Sequence, residues 1–183
     1  MKNHSHDEQF PVVDEYGNEI AIAQRSVCHD GKSMLLHPVV HLHLFNNKGE
    51  LFLQKRAMTK DLLPGKWDTS VGGHISQGES AETALKRETL EELGLTEFKF
   101  RLVGKYIWES QREREYVYSF TGTSDGLPVI NPEEIDDGRY WTMKEIVENI
   151  GKGIFTPNFE HEFSKQITTE ARSTQRKARR DTS

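Results

Sequence analysis

Short stretches of alternating apolar and polar residues run through this chain, separated by clusters of turn-forming residues, with a few longer stretches of helical spacing between them. Val39–Phe45 and Glu50–Arg56 read as strands joined at Asn46-Asn47-Lys48-Gly49, a β-hairpin. His37, His41 and His43 alternate with apolar residues there, so all three share one face of the strand, either a wet sheet surface or part of a site. Phe10–Ala23 reads as another hairpin, turning at Tyr16-Gly17-Asn18, which could meet substrate or a second subunit. After a loop over Ala57–Lys66, a short strand Trp67–Val71 leads into Gly72-Gly73. Ser80 is placed to cap a helix that stops at Gly94. Glu97–Trp108 and Arg112–Gly122 alternate as strands, and Glu113 and Glu115 share a face of the second. The turn-rich segment from Asp125 to Gly138 is interrupted by the short run Leu127–Ile130, and Arg139–Trp141 is a strand end. Thr142 caps a predicted helix through Asn149, and Thr156-Pro157 opens a last one running to about Thr174.

Composition narrows the class. With 183 residues, 34% hydrophobic, the chain fits one domain with a sizeable core. The division expected is a flexible polar tail at 1–9, a single domain at 10–174 and a basic tail at 175–183. No apolar run is long enough to span a membrane, and the first ten residues lack the apolar core of a signal peptide. The lone Cys28 excludes an internal disulfide, and a cytoplasmic location is expected. The basic tail reads as a loose anion contact rather than a nucleic-acid site.

Within the central helix, Glu88, Glu91 and Glu92 stand at i, i+3 and i+4. Their carboxylates fall in a sector of roughly 100°, where like charges cost a few tenths of a kcal/mol per pair. A solvated acidic face balanced by Lys86 and Arg87 is one reading. A hard divalent cation is the other, because Mg²⁺ accepts a few carboxylates together with substrate phosphates. The surrounding residues resemble the Nudix hydrolase signature, G-x5-E-x7-R-E-U-x-E-E-x-G-U with U bulky and aliphatic. Gly73, Glu79, Arg87, Glu88, Glu91, Glu92, Gly94 and Leu95 occupy its places, and only Thr89 departs, at an aliphatic position. The resemblance implies an α+β fold, an α/β/α sandwich around a mixed central sheet. It also implies Mg²⁺ or Mn²⁺ held by Glu88, Glu91, Glu92 and the Gly73 carbonyl, with a base from Glu91, Glu92 or a distal loop. Arg87 would orient the carboxylates and Glu79 the loop.

Residues 11–123 also resemble the type 1 isopentenyl-diphosphate isomerases, which share that fold. The likeness is carried by Leu35–Asn46, Leu62–His74 and the pair Glu113 and Glu115. It implies a second metal site built from His37, His74, Glu113 and Glu115, with His29 matching a third histidine only loosely. The cysteine of those isomerases is replaced by Gly72, and Cys28 lies in another segment. Glycine cannot move a proton, and the hydrolase signature is complete in its acidic residues. The expectation is therefore metal-dependent hydrolysis of a diphosphate linkage in a small-molecule substrate, a nucleoside diphosphate derivative or similar organic diphosphate. Isopentenyl-diphosphate isomerisation and a non-catalytic ligand-sensing module are the alternatives. Lys55 and Arg56, at a strand end, could meet a phosphate, and assembly as a homodimer stays open.

Overall fold

The computed structural model describes residues 8–60 and 62–167. The basic tail, most of the N-terminal tail and the end of the last predicted helix lie outside the described residues. Gln9, assigned to the flexible tail, instead opens a strand.

The first strands, β1 (Gln9–Val13) and β2 (Glu19–Gln24), form the expected hairpin as a two-stranded sheet of their own. One helical turn follows, α1 (Arg25–Cys28). The main sheet has seven strands. They are β3 (Leu36–Phe45), β4 (Leu51–Arg56), β5 (Trp67–Asp68), β6 (Val71–His74), β7 (Lys99–Glu109), β8 (Arg114–Thr123) and β9 (Ile135–Trp141). The central strand β3 runs parallel to β8 and antiparallel to β6, so the sheet is mixed. Its helices are α2 (Ala81–Leu93), α3 (Met143–Asn149) and α4 (Pro157–Glu162), the last continuing into a π-helical turn at Phe163–Ile167.

Alternation on β3 and β4 sorts the two faces. Val40, Leu42, Leu44 and Phe52 pack against Ala84, Leu85 and Leu93 of α2. Leu51 and Leu53 point the other way and pack against Ile146 of α3 and Phe159 of α4. Each fully buried leucine is worth about 1.5–3 kcal/mol. The result is the expected sandwich of helix, mixed sheet and helix. The caps also form as expected: the Ser80 hydroxyl accepts from the Thr83 N–H at 3.1 Å, and Gly94 closes α2 at φ 64°. Thr142 and Glu145 form a full capping box on α3. Thr89 is buried on α2, and its hydroxyl is satisfied by the Leu85 carbonyl at 2.7 Å.

Three expectations are corrected. The hairpin between β3 and β4 holds only at its tip, where Phe45 pairs with Leu51. Beyond it the strands part around Ser70, whose hydroxyl accepts from the Leu44 N–H and donates to the Phe52 carbonyl. The strand expected at Trp67–Val71 is accordingly split, β5 pairing with β4 and β6 with β3 across the gap. The run Leu127–Ile130 stays irregular within the turn-rich segment. It leaves Leu127 and Val129 exposed, while the Val129 and Asn131 N–H groups take up the Leu93 and Glu92 carbonyls at the end of α2. Finally, β9 begins at Ile135 rather than Arg139, because it pairs along all of β4.

The histidine face of β3 is not wet, because α4 covers it. Glu162, fully buried, accepts from His41 Nδ1 at 2.9 Å and His43 Nε2 at 3.2 Å. Burial alone would raise the Glu162 carboxyl, but the two histidines hold it far below the usual carboxylate range. Burial would likewise lower His41, yet the Glu162 charge carries it up to about 9. The depressed Glu162 stabilises the fold above the unfolded carboxylate pKa of about 4.3 and loses that effect as pH falls. The raised His41 stabilises fully below its unfolded value of 6.5 and loses that effect as pH climbs through about 9. Melting curves should therefore show wild type losing its margin over Glu162→Gln between pH 6.5 and 9; a constant margin across that window refutes the ion pair.

Candidate active site

Glu92 lies on the same side of α2 as Leu85, Thr89 and Leu93, so the core-facing stripe carries a carboxylate into the sheet. Its Oε2 accepts from Gln54 Nε2 at 3.0 Å and from the Gly72 N–H at 3.3 Å. Glu88 lies over the backbone of β6, where a Cβ at position 73 would displace its carboxyl. Burial pushes Glu88 up to about 7 against the pull of Arg87, and pushes Glu92 well above the carboxylate range with help from the Glu88 charge. A solvated acidic face would show neither shift. Glu91 is more open and lies 3.7 Å from Arg87 Nη1.

Arg87 ties this region together. Its Nε and Nη2 donate to Glu79 at 2.9 and 2.8 Å, Nη1 donates to Glu88 at 2.6 Å, and Nη2 also reaches the His74 carbonyl at 2.9 Å. Glu79 in turn accepts from the Ser76 N–H at 3.0 Å. One guanidinium thus fixes loop, helix and the end of β6, a geometry its planar fork of donors suits.

A second constellation forms where β1, α1, β3, β6 and β8 converge. His29 Nε2 lies 3.3 Å from His37 Nε2 and 3.2 Å from His74 Nε2. Glu113 Oε2 approaches His29 at 3.5 Å, and Glu115 stands beside His37 in the parallel register. Donor atoms of His29, His37 and His74 come within 4.8 Å of one another, as do those of His37, Glu113 and Glu115. His37 Nδ1 donates to the Leu35 carbonyl at 3.0 Å, leaving Nε2 bare toward the cluster. Burial, with His37 and Arg25 nearby, lowers His29 to about 3, so it too offers a lone pair. Burial raises Glu115 to about 8, aided by the Glu113 charge. Neutral imidazoles oriented by a backbone carbonyl, next to crowded carboxylates, are a donor set that fits a divalent ion. Phe10 stacks on the His74 ring at 4.2 Å and covers the cluster.

One cavity of ≈ 130 Å³ joins the two regions through the gap between β3 and β4. Glu92 enters it from the α2 side, and His41, on the α4 side of β3, lines it as well. His74, Glu113 and Glu115 close one end, with Arg56 and Lys60 among its cationic lining. Arg56 is ion-paired with Asp68 at 3.2 Å and Lys60 with Glu134 at 3.7 Å.

Of the residues singled out in the sequence, Gly73, Glu92, His74, Glu113, Glu115 and Arg56 line the cavity. His37 joins its histidine cluster, while Glu88 and Glu91 pair with Arg87. Lys55 is not in the cavity; it follows Gln54 and precedes Arg56 on β4, and alternation turns it to the opposite face. Cys28 is buried away from the cavity, and burial pushes its thiol to about 11. Sequence reasoning undervalued His29, whose spacing is shifted but whose side chain completes the cluster. It missed Gln54, Lys60, Asp68 and Glu134 entirely, since only folding brings them together.

Among known proteins, the NUDIX domain family model matches residues 35–161. A Photorhabdus laumondii protein named isopentenyl-diphosphate Delta-isomerase 2 is 34% identical over 76% of this chain and 80% of its own length. A Yersinia pestis protein described as an uncharacterized Nudix hydrolase is 30% identical over 82% of this chain and 81% of its own. The crystal structure of DR0079 from Deinococcus radiodurans superimposes with a TM-score of 0.69 at 25% identity, covering 81% of this chain and 92% of that one. The sandwich, the signature helix turned into a cavity and the match over well over half of the sequence agree, and the chain belongs to the Nudix domain family as an enzyme of the Nudix hydrolase kind.

Proposed function

We propose that the protein hydrolyses a diphosphate linkage in a nucleoside diphosphate derivative or a comparable organic diphosphate, with Mg²⁺ or Mn²⁺ held by Glu88, Glu91, Glu92 and the Gly73 carbonyl. The observation that carries this reading is the single cavity into which the signature carboxylate Glu92 and the pair Glu113 and Glu115 both open. A bound divalent ion supplies charge neutralisation for the phosphates and a more acidic water. The protein's own residues do the rest. Arg56 and Lys60 exchange their carboxylate partners for phosphate oxygens at the cavity wall. Glu92, raised by burial and held by Gln54 and Gly72, is placed to accept a proton from the attacking water. Arg87 keeps Glu79 and Glu88 in register, so it acts by positioning.

A second reading is favoured by one observation: the assembled cluster of His29, His37, His74, Glu113 and Glu115, which matches the isomerase pattern. Against it, Gly72 faces the cavity with no side chain to donate or accept a proton. A Cβ at Gly72 would meet only His41, at 3.6 Å, an ordinary contact. The site could therefore hold a cysteine, and its absence is chemical rather than steric.

Two outcomes are expected. Glu92→Gln should lower kcat for Mg²⁺-dependent phosphate release by about 100-fold or more while the melting temperature stays at or above that of wild type; undiminished turnover by this variant, across a panel of nucleotide and isoprenoid diphosphates, removes the assignment. Wild type should form no dimethylallyl diphosphate from isopentenyl diphosphate, and the sterically tolerated Gly72→Cys should fold normally; isomerisation by the unaltered protein would put the second reading first.

A further inference from the structure

His41 has no place in the signature or in the histidine–glutamate cluster, yet it is built into the cavity more firmly than most of its wall. It lies on the central strand β3, directly opposite Gly72 of β6. Its Nδ1 edge is bound to the fully buried Glu162 at 2.9 Å. A carboxylate only accepts here, so Nδ1 carries a proton; the same buried charge holds the ring in its imidazolium form, so Nε2 carries one too, and the ring cannot rotate without stranding that charge. The opposite edge, Cδ2 and Nε2, lies toward Gly72, whose missing side chain leaves that edge open to the cavity. Glu162 stands outside the cavity lining, and His43 shares it from the same face. Arg56 and Lys60 are different, for each is paired with a carboxylate that lines the cavity itself. His41 thus brings a donor to the substrate chamber whose counter-charge is kept on the far side of the sheet.

We propose that His41 contacts the substrate, its Nε2–H donating to a non-bridging phosphate oxygen of the diphosphate, with Glu162 of α4 as the positioning residue behind it. The proton stays on the ring throughout, so this is a fixed dipole aimed at charge that grows during phosphoryl transfer. The role rests on the hydrolase reading. Placement at the α4 edge further means that α4, distant in sequence from the signature, sets one side of the active site.

Two isosteric variants separate this role from a purely structural one. Asparagine places its amide where Nδ1 was and keeps the Glu162 contact; glutamine reaches to the Nε2 position and keeps the cavity donor. With an active diphosphate substrate, His41→Asn should lose about 100-fold in kcat/KM while His41→Gln stays within about tenfold of wild type. The reverse ranking, with melting temperatures following the same order, overturns the proposal. In parallel, full-length protein labelled with ¹⁵N-histidine is titrated with methylenediphosphonate in the presence of Mg²⁺. A shift of the His41 Nε2 resonance on adding the diphosphonate supports the contact; no shift, or the whole shift on adding Mg²⁺ alone, overturns it. Should wild type release phosphate from no diphosphate tested, the hydrolase reading falls, and the resonance alone decides whether His41 binds the anion.

Discussion

Two strands part at Ser70, and a cavity lined by carboxylates and histidines occupies the space between them. Neighbouring strands of a hairpin ordinarily close on each other over their whole length. Here a single hydroxyl bridges a β3 N–H and a β4 carbonyl, supplying the hydrogen bonds the strands do not give each other. Into the fork go β5 and β6, each borrowing one edge. Gly72 and Gly73 thereby reach the middle of the sheet, where no side chain of their own blocks the way from the α2 face to the α4 face. A cavity that crosses a sheet can draw residues from both sides, which a surface cleft cannot.

The second constraint is charge. Several carboxylates are brought out of water within a short distance, and the protein deals with them in two ways. At Glu162 the compensation is internal: two histidines on one carboxylate oxygen hold it ionised and clamp α4 to β3. At Glu88, Glu92 and Glu115 it is incomplete, and burial drives the carboxyls toward the neutral form. Groups left in that condition inside a cavity have a deficit of positive charge that a cation relieves. The two sets thus differ in whether the buried charge finds a counter-charge within the protein.

The likeness to proteins named as isomerases and to others named as Nudix hydrolases has a simple physical basis. A scaffold that buries carboxylates around one cavity suits either kind of enzyme. What separates them is whether a side chain can deliver a proton to carbon, and at position 72 this chain has none. Room for a Cβ exists there, with His41 at an ordinary 3.6 Å.

Much of the frame was legible in the sequence because it depends on local rules. Caps at Ser80, Thr142 and Thr156, the stop at Gly94 and the alternation of the long strands all arise from hydrogen bonding and periodicity within a few residues. The signature helix was legible for the same reason, since one turn of helix sets the spacing of Arg87, Glu88, Glu91 and Glu92. Which carboxylate enters the cavity was not: burial of Glu92 and the hold of Arg87 on Glu88 and Glu91 depend on how α2 rolls against β6. Nor could spacing reveal that β3 and β4 part at Ser70, that His29 closes on His37 and His74, or that the histidine face of β3 is roofed by Glu162. These contacts join residues up to 121 positions apart, and their energies come from excluding water around paired charges, a condition that exists only once the layers have closed.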